Sequence, residues 1–80
     1  MVRILGEEDA FPTPDPTKTS WPEVVGWDEL PAGIWIANDR REVTVQFLNL
    51  GETRPPGYNP RRVIVFVDAT LHVALTPLLG

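Results

Sequence analysis

Cysteine is absent from the 80-residue chain, and histidine appears once. Without cysteine there is no disulfide, no thiolate zinc site and no thiol nucleophile. A single histidine cannot build a histidine-rich metal site, so neither a metal nor a cofactor is expected. Basic residues are scarce too: 7 Lys plus Arg stand against 11 Asp plus Glu, a formal net charge of −4. That balance argues against nucleic acid and against anionic membranes as partners, because both reward a basic patch. No apolar run approaches the roughly 20 residues of a membrane helix. The opening MVRILGEEDA is too short and too acidic for a secretory h-region. A trimmed leader remains compatible with it, and the compartment stays open.

What is present fits one small domain. Apolar residues make up 42% of the chain, an ordinary globular share. A domain of this size buries only about 60–65% of its extended-chain surface. With no covalent staple, its stability must come from a compact core of tryptophan, phenylalanine and aliphatic side chains. Little is left over for an elaborate cleft. A binding role, as a monomer, is the starting expectation.

Residues 1–19 read as a disordered, proline-rich N-terminal arm, and residues 20–80 as the folded domain. Glu7-Glu8-Asp9 is acidic, and Phe11-Pro12-Thr13-Pro14-Asp15-Pro16 places proline at every second position. Proline at that density removes backbone donors and favours extended polyproline geometry. Asp28 suits a helix N-cap with Glu29 in the first turn. A helix from Glu29 to about Ala37 would bury Ala32, Trp35 and Ile36, although Ile34-Trp35-Ile36 also fits a short strand. Val43 to Leu48 alternates as a strand with Val43, Val45 and Phe47 on one face. Val63 to Val67 is continuously apolar and mostly β-branched, as in a central strand. Asp68-Ala69-Thr70 reads as a turn, and Leu71 to Leu75 as a last strand stopped by Pro77.

Between the two best strands lies the stretch from Asn49 to Arg62, long for a connection in so small a domain. Pro55, Pro56 and Pro60 stiffen it. A working surface is expected here.

At this point the residues resemble a known family. Trp21-Pro22-Glu23-Val24-Val25-Gly26 resembles the W-P-E-L/V-V-G opening of the potato inhibitor I family of serine protease inhibitors. Arg62-Val63-Ile64-Val65-Phe66-Val67-Asp68 is similar to its R-V-R-V/L-F-V-D strand, and Thr76-Pro77-Leu78-Leu79-Gly80 to its V/T-P-x-V/I-G terminus. The resemblance covers residues 20–80. It implies an α+β fold: one helix packed on a small mixed sheet, with an extended binding loop between two parallel strands. It also implies inhibition of a subtilisin- or chymotrypsin-like serine protease, the loop entering the active site as a substrate would. The physical basis is preorganisation and strand addition.

Carried across, the resemblance makes Gly51, Glu52, Thr53, Arg54, Pro55, Pro56, Gly57, Tyr58 and Asn59 the reactive loop. It places the specificity residue at Pro56 and the scissile bond at Pro56-Gly57. Arg62 falls on the first of two arginines that brace the loop from beneath. Gly80 falls on the terminal glycine, whose carboxylate is a partner for that arginine. The chain departs from the pattern at linked positions. The threonine before the specificity residue is Pro55, the acidic residue after it is Gly57, and the second bracing arginine is Ile64. Proline at the specificity position also lacks the N–H that an ordinary substrate donates. Three prolines can replace part of the lost brace by fixing φ.

Other readings compete. Pro55-Pro56-Gly57-Tyr58 fits the P-P-x-Y pattern read by WW domains. A retained fold without inhibitory function would explain the linked departures. An enzyme is not expected. His72, the sole histidine available as a base, reads as half-exposed, and Glu42, Glu52 and Asp68 lie on separate segments as solvated charges. Gly51 and Gly57 lack the spacing of a phosphate-binding loop. Arg40, Arg41 and Arg61 read as solvated, Trp35 as core and Trp27 as partly exposed.

Overall fold

The computed structural model describes residues 15–80. The acidic run and the prolines before Asp15, expected to be part of a disordered arm, lie outside the described residues. The segment from Asp15 to Thr19 is hydrogen-bonded to the domain. The Leu79 N–H donates to Thr19 O at 2.9 Å, and the Asp15 N–H to Asp39 Oδ1 at 3.3 Å.

A short 3-10 turn, Pro22–Val24, follows the buried Trp21. Helix α1 runs Glu29–Asp39. Strand β1 is Thr44–Asn49, β2 is Arg62–Val67 and β3 is Leu78–Leu79. The sheet order is β1-β2-β3. β1 and β2 run parallel, with Thr44 opposite Arg62 and Asn49 opposite Val67. β3 runs antiparallel to β2, pairing Leu79 with Val63. The fold is thus α+β, one helix on a mixed sheet. A parallel pair cannot be joined by a tight hairpin, so the chain between β1 and β2 must cross over.

Alternation in β2 sends Val63, Val65 and Val67 into one core with Trp21, Val24, Ala32, Ile36 and Val73. Helix α1 contributes Ala32 and Ile36 at the i, i+4 spacing. Gly33 has a packing reason: a Cβ there would lie 2.9 Å from Phe47 Cζ, so the missing side chain lets β1 approach α1. The Ile34-Trp35-Ile36 stretch is helical, not a strand, and the helix continues two residues past Ala37. Trp35 is half-buried at the edge of the core. It donates from Nε1 to Glu23 Oε2 at 3.0 Å and meets Trp27 edge-on at 5.4 Å.

Three local expectations are corrected. Asp28 occupies the N-cap position but makes no side-chain cap bond. Its carboxylate lies 2.9 Å from His72 Nε2 instead. Leu71 to Leu75 is not a strand. Asp68 Oδ1 accepts from Thr70 N, Thr70 Oγ1 and His72 N, which closes a turn and forces Leu71 to φ +64. Single bridges at His72 and Val73 remain, and the third strand forms only after Pro77. Finally, Arg40 is not a solvated charge. Its guanidinium grips Glu42 at 2.7 Å and donates to Lys18 O at 3.1 Å.

Candidate functional site: the loop between the parallel strands

Residues 50–61 connect the C-terminal end of β1 to the start of β2, and the chain is tied down at both ends of this loop. On the first limb Glu52 N–H donates to Asn49 O at 3.0 Å, while Glu52 Oε1 accepts from Asn49 N at 2.9 Å. This reciprocal turn needs a residue at φ +96 within it, which Gly51 supplies without strain. On the second limb Asn59 Oδ1 accepts from Arg61 N at 2.9 Å, and Asn59 O accepts from Arg62 N at 3.1 Å. Asparagine favours this self-closing turn chemistry.

Between the two turns the loop projects outward. Thr53, Arg54, Pro56, Gly57 and Tyr58 are exposed, and Pro55 is half-buried. At Gly57 the backbone adopts φ +83, so the chain bends sharply just after Pro56. Tyr58 keeps 72% of its surface.

Arg62 opens β2, and its side chain turns back under this bend. Its Nη2 donates to Gly57 O at 2.9 Å and to Gly80 O at 2.6 Å, and its Nε donates to Gly80 O at 3.1 Å. These are charge-assisted bonds from a planar fork, stronger than neutral ones. Gly80 is buried beside β2, with its N–H on Arg62 O at 2.7 Å. Its oxygen also accepts from Asn59 N at 3.2 Å. One oxygen therefore collects Arg62 and the returning limb of the loop. A Cβ on Gly80 would lie 3.5 Å from Arg54 Nη2 and 3.6 Å from the Tyr58 ring, so side chains from both limbs close over this glycine.

The departures from the family pattern have visible consequences. Ile64 lies on the same face of β2 as Arg62 and is 1% exposed, an aliphatic side chain with nothing to donate. Neither Pro55 nor Gly57 offers a side-chain acceptor. The contact to the loop tip is made to a backbone carbonyl instead, that of Gly57. Sequence reasoning missed this acceptor, because a carbonyl oxygen has no residue signature. It also missed Arg54 over Gly80 and the turn that Asn59 closes.

The remaining candidates sit elsewhere. His72 Nδ1 contacts Thr70 Oγ1 at 2.8 Å in the turn after β2. Glu42 is paired with Arg40, Glu52 caps its turn and Asp68 organises its own, so each carboxylate has a local structural partner. Among the described residues no group of three potential ligands could hold a metal ion. None of their helices is long and apolar enough to cross a membrane. The P-P-x-Y reading gains no support, since φ +83 at Gly57 interrupts the polyproline geometry before Tyr58.

Comparison with known proteins bears on the domain as a whole. The family model for the potato inhibitor I family matches residues 13–80. The chain belongs to the potato inhibitor I family. It is 37% identical over 73 residues to Subtilisin inhibitor 1 of Phaseolus angularis, covering 91% of this chain and 79% of that protein. To the Chymotrypsin inhibitor of Lumbricus terrestris it is 38% identical over 63 residues, covering 79% and 73%. Its fold matches the crystal structure of Bitter Gourd Trypsin Inhibitor with a TM-score of 0.76 at 28% identity, over 79% of this chain and 93% of that one.

Proposed function

We propose that this chain inhibits a serine endopeptidase, presenting residues 51–59 to the active site as a substrate-like strand. It acts as a monomeric protein ligand of the protease, not as an enzyme. Pro56 is the specificity residue and Pro56-Gly57 the reactive bond. The observation that carries the reading is the fork of Arg62, which ties the loop tip at Gly57 O to Gly80 O beneath it. A loop held in its bound shape loses little entropy on docking, so more of its contact energy appears as affinity. If that bond is cut, the same hold keeps Gly57 in place, while the pairing of β1 with β2 keeps the N-terminal piece attached. Family membership and the names of the relatives support a serine protease as the partner.

Inhibition titrations against serine endopeptidases of different primary specificity test this. Saturable 1:1 inhibition of at least one, competitive with a peptide substrate, is expected. Failure against every enzyme, with the loop left uncut, would contradict the reading.

A further inference from the structure

We infer that the target is a serine endopeptidase that cleaves after proline, with the Pro56 ring filling its primary pocket; this rests on the inhibitor reading above. The hydrogen bonds of the loop divide it into held and free parts. The first limb is held as far as Glu52, and the second from Gly57 onward. The stretch between is Thr53-Arg54-Pro55-Pro56, and among the described residues none of these four carries a hydrogen bond. This is the segment free to pair with another chain.

Within it, two peptide bonds precede a proline. Arg54-Pro55 and Pro55-Pro56 are tertiary amides whose leaving nitrogen carries the ring, crowding the approach of a nucleophile. Arg54 is thereby removed as a specificity residue despite its charge, and its Nη2 lies 3.5 Å from where a Cβ on Gly80 would stand. The Pro56-Gly57 bond differs: its leaving nitrogen is an ordinary amine, and the carbonyl of Gly57 is fixed by Arg62 at 2.9 Å. The bend at Gly57, φ +83, then carries the chain back toward Gly80. The exposed approach to the bond is thus its N-terminal side, ending in Pro56.

Neither Pro55 nor Pro56 has an N–H to give. A protease that expects one from the specificity residue would keep a carbonyl unpaired in a dry interface. That costs about 1–3 kcal/mol, which weakens binding roughly 5- to 150-fold. A deep pocket shaped for an aromatic or an extended basic side chain would also stay partly empty. An enzyme whose own substrates carry proline at this position pays neither penalty, and its compact apolar pocket matches the ring.

The test measures inhibition constants for the chain and for Pro56→Leu, by competition with chromogenic peptides. The enzymes are a post-proline-cleaving serine endopeptidase, subtilisin and chymotrypsin, with mass spectrometry of any cut. Pro56 is exposed, so the substitution leaves the core untouched, and urea denaturation checks this. The expected result is that the unmodified chain favours the post-proline enzyme by at least about tenfold and is cut slowly at Pro56-Gly57 alone. Pro56→Leu should reverse the preference toward subtilisin. If the unmodified chain already binds subtilisin as tightly as Pro56→Leu, or is cut at another bond, the specificity inference is overturned while the inhibitor reading stands. It is equally overturned if only Pro56→Leu inhibits anything. Should neither variant inhibit any enzyme, both fall.

Discussion

Arg62 concentrates the brace in one side chain. Its fork reaches Gly57 O and Gly80 O, while the neighbouring position on the same face, Ile64, offers only packing. Arg62→Ala is therefore expected to free the loop tip and to raise the rate of proteolytic cleavage within residues 51–59 at least about tenfold, as loss of a charged hydrogen bond implies. Arg62→Lys should fall in between, since an ammonium cannot reproduce two fixed donors. Cleavage time courses followed by mass spectrometry decide this, and an unchanged rate in Arg62→Ala would remove it from the role. At this scale the resemblance pointed to Arg62 and Gly80 as a pair. It held no sign of Gly57 O as the second acceptor, because the acceptor is backbone and the family's side-chain partners are missing here.

Helix α1 is secured through its last residue. Asp39 is 5% exposed and accepts from Trp21 Nε1 at 2.9 Å and from Lys18 Nζ at 3.3 Å. A carboxylate at a helix C-terminus opposes the helix dipole, so these donors must offset that cost. Lys18 also pairs with Glu23 and sits 5.9 Å from the centre of the Trp21 ring. Asp39→Ala would strand the Trp21 N–H in the core and is expected to lower stability by about 1–3 kcal/mol. Asp39→Asn, which keeps an acceptor, should cost less. Urea unfolding reads both, and a shift under about 0.5 kcal/mol for Asp39→Ala would contradict the assignment. Both long strands were legible from apolar spacing, whereas the helix was not separable from a short strand at Ile34-Trp35-Ile36. The burial of Asp39 was not, since its partners lie 18 and 21 residues earlier in the chain. The strand expected at Leu71 to Leu75 failed for a related reason. Its alternation was real, but the Asp68 side chain competes locally and closes a turn first.

For the molecule as a whole, pH probes how these local ties add up. The Thr70 hydroxyl and the His72 N–H hold the Asp68 pKa below its ordinary value. Arg40 does the same for Glu42, and Thr17 for Asp15. Burial works against the Glu23 carboxylate, yet its hydrogen bond from Lys18, with others, holds its pKa down. Carboxyl groups with depressed folded values stabilise the protein above their unfolded values, and that contribution is lost as pH falls through the folded ones. For Lys18 burial is likewise outweighed by Glu23 and Asp39, and its pKa is raised. Its contribution is complete below the ordinary lysine value and fades as pH rises through the folded one. Stability should therefore be level near neutrality, decline below about pH 4 and decline again above about pH 10. Urea midpoints across that range check it, and a flat profile down to about pH 2 would contradict it. The scaffold matters because it holds Gly80 under a loop whose own sequence has lost most of its side-chain brace. The most direct test is to mix the chain with an equimolar serine endopeptidase that it inhibits and follow free enzyme and intact chain together over time. Activity is expected to stay suppressed while one bond, Pro56-Gly57, opens slowly. Rapid loop cleavage with full return of activity would show a substrate in place of an inhibitor.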